Sequence, residues 1–183
     1  MRRLVTDPTS LPVQPQALTA ETRCREWYET WGASVYGYLR FHVASVDEAE
    51  DLTADVFLRA VRAADRFDAT RGSPGHWLLR IARNVLRDHL RRERRRRPAP
   101  PAAMYDLRCD APSPEERLLW QEEVGRLLAA VATLGTADRE VIGLRYGSGL
   151  DTAEAAELLG VSQAVVRTRL WRALGRLRQV IGS

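Results

Sequence analysis

A chain of 183 residues has room for one medium domain or two small ones, and 45% hydrophobic with 28% charged residues is the balance of a folded protein, which excludes a disordered one. No stretch approaches the roughly 20 apolar residues that span a bilayer, and no apolar run follows the basic start Met1-Arg2-Arg3, so a cytoplasmic protein is expected. The net charge is only +4, yet all 28 basic residues are arginines, whose planar fork suits phosphate and guanine better than an ammonium does.

Residues 1–20 carry Pro8, Pro12 and Pro15 and no apolar period, the composition of a flexible tail. From residue 21 to 97 the pattern is helical. Trp27, Trp31, Val35, Tyr38, Leu39 and His42 recur at the spacing of one helical face, and after a break with a capping residue at Ser45-Val46-Asp47 a second stripe follows, Ala49, Leu52, Val56, Ala60 and Ala64. The second stretch opens acidic: residues 47–55 hold five acids and no base, so a partner or solvent must face them. Phe67 to Gly75, with two glycines and a proline, reads as a loop, and Pro74 suits the start of a third helix. That helix turns Trp77, Leu78, Ile81, Val85, Leu86, His89 and Leu90 inward and its arginines outward; from 80 to 97 there are nine arginines against Asp88 and Glu93.

Residues 98–114 hold five prolines and little periodicity, which marks a flexible linker that could stretch to about 55 Å at most. The second domain, 115–183, begins with the stripe Leu119, Trp120, Val124, Leu127, Leu128 and Val131, then a helix over Asp138 to Tyr146 behind the break at Gly135. Asp151 followed by Glu154 reads as a capping box, Gly160 suits a left-handed helix end, and Ser162 suits the cap of the next helix. Helix, tight glycine turn, helix is the helix-turn-helix unit, whose second helix enters the major groove. That helix is expected to bury Val166, Leu170, Ala173 and Leu177 and to present Arg167, Thr168, Trp171 and Arg172 as one face, with Ser162 and Gln163 at its N-terminus also placed to meet DNA. No strand is needed, and the expected fold class is all-α: two small helical domains joined by a linker.

Two motifs carry a family resemblance. Asp138-Arg-Glu-Val-Ile-Gly-Leu-Arg-Tyr146 with the helix-turn-helix resembles region 4 of bacterial sigma factors, and Ala49-Glu-Asp-Leu-Thr-Ala-Asp-Val-Phe-Leu-Arg59 with Trp77-Leu-Leu-Arg-Ile-Ala-Arg-Asn-Val-Leu-Arg-Asp88 resembles region 2. Both occur in the family's order, and the short linker is similar to that of the extracytoplasmic-function (ECF) subgroup. The resemblance implies a sigma factor that binds core RNA polymerase and promoter DNA, double-stranded and melted, commonly restrained by an anti-sigma factor. It implies that Asp51, Asp55, Leu58 and Arg59 dock on the clamp helices of the largest polymerase subunit, with the flap of the second-largest as a further contact. It also implies that Asn84, flanked by Arg80, Arg83, Arg87 and Arg91, reads the minus-ten element, that the loop Asp68 to Gly75 captures an extruded base, and that the helix-turn-helix reads the minus-thirty-five element. One departure stands out: primary sigma factors carry two aromatic wedge residues where this chain has His76-Trp77, so Trp77 is either a wedge or a core residue.

The main alternative is a DNA-binding regulator whose N-terminal half dimerises or senses a signal; it would bind an operator without polymerase. An enzyme is disfavoured, since the chain has no phosphate loop, nucleophile elbow or metal signature, and Cys24, Cys109 and the three histidines lack ligand spacing. No cofactor is expected, and Cys109 is read as an inert thiol.

Overall fold

The computed structural model describes residues 20–96 and 114–182, in which every regular element is helical. The elements are α1 (Ala20–Arg40), α2 (Val46–Ala63), α3 (Pro74–Arg96), α4 (Pro114–Ala132), α5 (Thr136–Ile142), α6 (Thr152–Leu159) and α7 (Gln163–Ile181). Apart from Ala20 and Pro114, the expected tail and linker, with Cys109, lie outside the described residues, as do the side chains of Leu119 and Trp120.

The N-terminal half is a three-helix unit built on the expected stripes. Trp27, Val35, Tyr38, Leu39 and His42 of the first helical stretch are buried, and so are Ala49, Leu52, Val56, Ala60 and Ala64 of the second. Ser45 caps α2 by accepting from the Glu48 N–H at 3.0 Å, and Asp47 and Glu48 in the first turn complement the helix dipole. Helix α3 buries more than one stripe: Leu79 and Ala82 join Leu78, Val85 and Leu86 in the core. At roughly 1.5–3 kcal/mol for each large aliphatic side chain, this burial is the main source of stability.

In the C-terminal half the caps fall where the residues dictate. The Glu154 N–H donates to Asp151 at 2.8 Å while the Asp151 N–H donates back to Glu154 at 2.7 Å, and Gly160 ends α6 at φ 67°. Ser162 caps α7, whose Val166, Ala173 and Leu177 are buried. Arg176 of α7 donates to the buried Asp138 of α5 at 3.1 Å. The helix expected over 138–146 changes pitch midway: α5 ends at Ile142, and Gly143–Gly147 winds on as a π-helical turn, closed by Ser148 N–H donating to the Gly143 carbonyl at 3.0 Å.

That wider turn explains a feature the two-domain expectation did not contain. One hydrophobic cluster runs through both halves, joining Val35, Leu39, Leu78 and Val85 to Val141, Leu144, Ala155 and Val166; a smaller cluster of Val131, Ile142, Ala173 and Leu177 takes Phe41 against it. At the seam α1 meets the π turn backbone to backbone. A Cβ added at Gly37 would lie 2.1 Å from the Gly147 carbonyl oxygen, and one at Gly143 would lie 2.6 Å from His42 Cε1.

This contact sets a test by sign. Alanine in place of an interior helical glycine ordinarily gains about 1 kcal/mol. Gly32→Ala, whose Cβ would meet only Tyr28 at 3.6 Å, is expected to be neutral or stabilising, whereas Gly37→Ala is expected to lower stability by about 1–3 kcal/mol because backbone must move. Urea unfolding of both variants reads the difference; a stabilised Gly37→Ala chain would mean that the seam is not closed in solution.

Candidate nucleic-acid interface

The second helix of the helix-turn-helix presents the expected face. Arg167, Thr168, Trp171 and Arg172 are exposed, Trp171 at 76%, while Val166 and Ala173 behind them are buried. Ser162 and Gln163 are exposed at the N-terminus, and Val165, which the sequence reading did not single out, is exposed beside them. Thr168 donates its hydroxyl to the Ala164 carbonyl at 2.9 Å, so its oxygen is left as an acceptor. An exposed tryptophan among arginines on a groove-sized helix is poorly explained by core packing, and it offers apolar contact beside forked donors.

Helix α3 is arranged differently. Arg80, Asn84, Arg87 and Arg91 are exposed, with Arg87 donating to the Asn84 side-chain oxygen. Trp77 is half-buried in an aromatic nest, 5.2 Å from Trp27 and 5.4 Å from Phe67 between ring centroids, so here it serves as packing. Asp68 caps the short turn that follows, accepting from the Thr70 N–H at 2.9 Å. That turn and the head of α3 enclose a cavity of about 170 Å³ lined by Phe67, Asp68, His76, Trp77, Arg80 and, from the C-terminal half, Glu157.

Arg83 is already engaged. Its Nε donates to Glu140 of α5 at 2.6 Å and its Nη1 to the Leu158 carbonyl of α6 at 2.9 Å. Glu140 also accepts from the buried Tyr38 hydroxyl at 3.1 Å and lies 3.6 Å from His42 Nε2, while His42 Nδ1 faces the Tyr38 carbonyl at 2.8 Å. Both nitrogens of His42 thus face oxygen atoms of neighbouring groups. Burial by itself raises the Glu140 carboxyl, but the hydrogen bond and charge of His42, with Arg83, outweigh it and hold the group below the ordinary glutamate range. Burial, reinforced by the neighbouring Glu140, pushes the Tyr38 phenol well up.

The acidic stretch faces outward from α2. Asp51 and Leu58 are exposed, and with Asp47, Glu48 and His89 the stretch lines an open groove of about 730 Å³ between α2 and α3. His89 Nε2 stands 2.6 Å from Glu48. Asp55 and Arg59 are tied into the helix pair: Arg59 donates twice to Asp55, at 2.9 and 3.2 Å, and once to Asp88 of α3 at 3.3 Å. The hydrogen bonds that Arg59 donates to Asp55 outweigh the burial that opposes charge and raise the Arg59 guanidinium further. Of the four residues that the resemblance implies for a polymerase contact, Asp51 and Leu58 are exposed without an ion pair among the described residues, whereas Asp55 and Arg59, partly exposed, pair with each other and Arg59 ties α2 to Asp88 of α3.

Sequence reasoning missed Glu140 and Glu157 and took Glu154 as a cap alone; Glu154 lies 3.7 Å from His76 of α3. The available signal was complementarity: three glutamates on α5 and α6, with a run of arginines on α3 lacking enough acids of its own.

Comparison with known proteins agrees with this geometry. Residues 27–96 match the family model for sigma-70 region 2, and residues 125–177 match that for sigma-70 region 4. The chain is 35% identical over 132 residues to the ECF RNA polymerase sigma factor SigC of Mycobacterium tuberculosis, covering 72% of this chain and 69% of that protein. It is 33% identical over 154 residues to the ECF RNA polymerase sigma factor BldN of Streptomyces coelicolor, covering 84% of this chain but 58% of the relative's length. Its fold is that of the sigma factor RpoE of Bartonella quintana, solved in complex with the anti-sigma factor NepR: TM-score 0.70 at 20% identity, covering 86% of this chain and 96% of the other.

The Glu140 site has a definite pH dependence. A carboxyl held below its ordinary range in the folded protein contributes stability above that range and loses it as pH falls through the folded value. The stability difference between wild type and Glu140→Gln, measured by urea unfolding, is accordingly expected to be largest near neutral pH and to shrink on acidification. A difference that grows with acid would contradict the assignment.

Proposed function

Since the chain belongs to the ECF family of RNA polymerase sigma factors, we propose a division of its work between the two halves: α7 reads the minus-thirty-five element and α3 the minus-ten element, while α2 docks on core polymerase. The observation that carries this reading is the exposed Arg167, Thr168, Trp171 and Arg172 face on a doubly capped helix-turn-helix, in one chain with a second, arginine-rich helix. Two separated basic surfaces suit two contacts along one promoter, which a single regulator module does not need. Forked donors at Arg167 and Arg172 supply base readout, with Ser162 and Gln163 near the backbone and Trp171 offering apolar contact.

On α3, Arg80, Arg87 and Arg91 supply phosphate contacts, and Asn84, once released by Arg87, offers the donor and acceptor pair of an amide to a base. The 170 Å³ cavity beside His76 and Arg80 is the place for an extruded base. With Trp77 packed in the nest, opening of the duplex depends on capture of that base more than on a wedge. Asp51 and Leu58 meet the clamp helices of the largest subunit, and the flap of the second-largest receives the C-terminal half. No step of this work requires catalysis by the chain itself. The compartment is the cytoplasm, where polymerase and promoter are; among the described residues no helix is long and apolar enough to cross a membrane. An anti-sigma factor is a further partner, as the complex of the structurally similar RpoE suggests.

Run-off transcription from genomic DNA with purified core polymerase tests the whole reading: transcripts that depend on the chain are expected, and operator binding without polymerase would favour the regulator instead. Replacing Asp51 and Leu58 with arginine is expected to abolish co-purification with core polymerase while helical content by circular dichroism is retained. Arg167→Ala and Arg172→Ala are each expected to cost about 1–3 kcal/mol at a matched promoter and to relax preference at particular positions. A uniform loss across all sequences, with a salt slope smaller by about one unit, would reduce them to phosphate contacts.

A further inference from the structure

Between α3 and the start of α5 lies a cleft of about 280 Å³, distinct from the cavity at the head of α3. Arg83, Arg87, Arg91 and Arg94 line it from α3, Thr136 and Glu140 from α5. The carboxylate among these is already spent: Glu140 takes the Arg83 Nε at 2.6 Å and the Tyr38 hydroxyl at 3.1 Å. Arg87 donates to the neutral Asn84 side chain, and the ion pairs of α3 among the described residues involve His76, Arg83, Asp88 and His89, not Arg91 or Arg94. Arg87, Arg91 and Arg94 therefore line the cleft without a counter-charge.

The spacing of these arginines selects the kind of anion. They stand at i, i+4 and i+7, one side of α3 and about 10 Å long at roughly 1.5 Å per residue. Positive charge spread over that length matches an anion that is itself extended and multiply charged, not a single carboxylate. A guanidinium fork takes two oxygens of one phosphate, so two or three linked phosphates give each arginine its own partner. Tyr38 and Leu86 are buried at the floor of the cleft, and charges attract more strongly beside such a low-dielectric wall. Thr136, exposed on the opposite wall, offers a hydroxyl that can donate to a phosphate oxygen. The volume lies at the lower end of small-ligand pockets and suits a short phosphate chain.

We propose that this cleft binds a di- or triphosphate group, free or borne by a nucleotide, with Arg87, Arg91 and Arg94 on the phosphates and Thr136 closing the site from α5. Its walls come from both halves, so a bound ligand ties α5 to α3 and stabilises the folded chain as its concentration rises. The site does not depend on which promoter element α3 reads. It requires only the seam that brings α5 to α3.

The test is calorimetric titration of the full chain, without polymerase or DNA, with inorganic tripolyphosphate and separately with ATP, at about 0.15 M salt to screen unspecific attraction. One site per chain is expected, together with a rise in melting temperature. Arg91→Gln combined with Arg94→Gln is expected to weaken binding about tenfold or more, through loss of two charge-assisted contacts. A control with Arg25→Gln and Arg62→Gln, also exposed and of the same net charge, is expected to keep the wild-type affinity. Thr136→Glu sets a carboxylate on the far wall, at a helix start that favours one, and is expected to abolish binding with helical content retained. Tighter binding of ATP than of tripolyphosphate assigns the site to a nucleotide, and equal affinity to the phosphate chain alone. Equal weakening in the two double variants, or several weak sites per chain, would mean adventitious binding to surface arginines and overturn the proposal. So would wild-type affinity in the Thr136→Glu chain, or no binding of either compound.

Discussion

The arrangement of the chain depends on a contact between two glycine backbones. Gly37 in the last turn of α1 and Gly147 at the end of the π turn touch with no side chain between them, and any Cβ would collide with the opposing carbonyl. Because they touch, Glu140 comes over Arg83 and His42, and α6 comes against the head of α3. The energy of the union lies elsewhere. A buried ion pair largely spends its Coulomb gain on desolvation, so the Glu140 cluster fixes register more than it stabilises. The shared hydrophobic cluster, with Val141, Leu144 and Ala155 against the N-terminal core, provides the attraction.

Helices α7 and α3 carry the same residue type in opposite states. On α7, Arg167 and Arg172 are exposed, beside a tryptophan at 76% exposure, on a helix whose buried side is sealed by Ala173 and Leu177. On α3 the arginines are partly engaged: Arg83 by Glu140 and the Leu158 carbonyl, Arg87 by Asn84. On α2, Arg59 bridges Asp55 of its own helix and Asp88 of α3, while Asp51 and Leu58 face outward.

Much of this was legible in the residues because it depends on neighbours in sequence. The stripes of α1 and α2 follow from a spacing of three to four, and Ser45, Asp151, Gly160 and Ser162 cap helices through hydrogen bonds that span only a few residues. The exposed arginine face of α7 follows from the same periodicity, and so does the helical character of the described residues. The ordered pair of region 2 and region 4 motifs carried the family, which the matches over 27–96 and 125–177 bear out.

Tertiary structure alone decided how the halves relate. No periodicity distinguishes Gly37, which touches another backbone, from Gly32, which meets a tyrosine ring, and no local rule turns residues 143–147 into a π-helical turn. Glu140 and Arg83 are separated by 57 residues, so their pairing is invisible to any pattern of near neighbours. Trp77 could be wedge or core by sequence, and only the positions of Trp27 and Phe67 settled its packing in this state. Local chemistry dictates which helices form and which faces they present, because those forces act over one or two turns. Which face is covered, and by what, depends on contacts between distant segments, and here those contacts set the Glu140 carboxylate on Arg83 of α3.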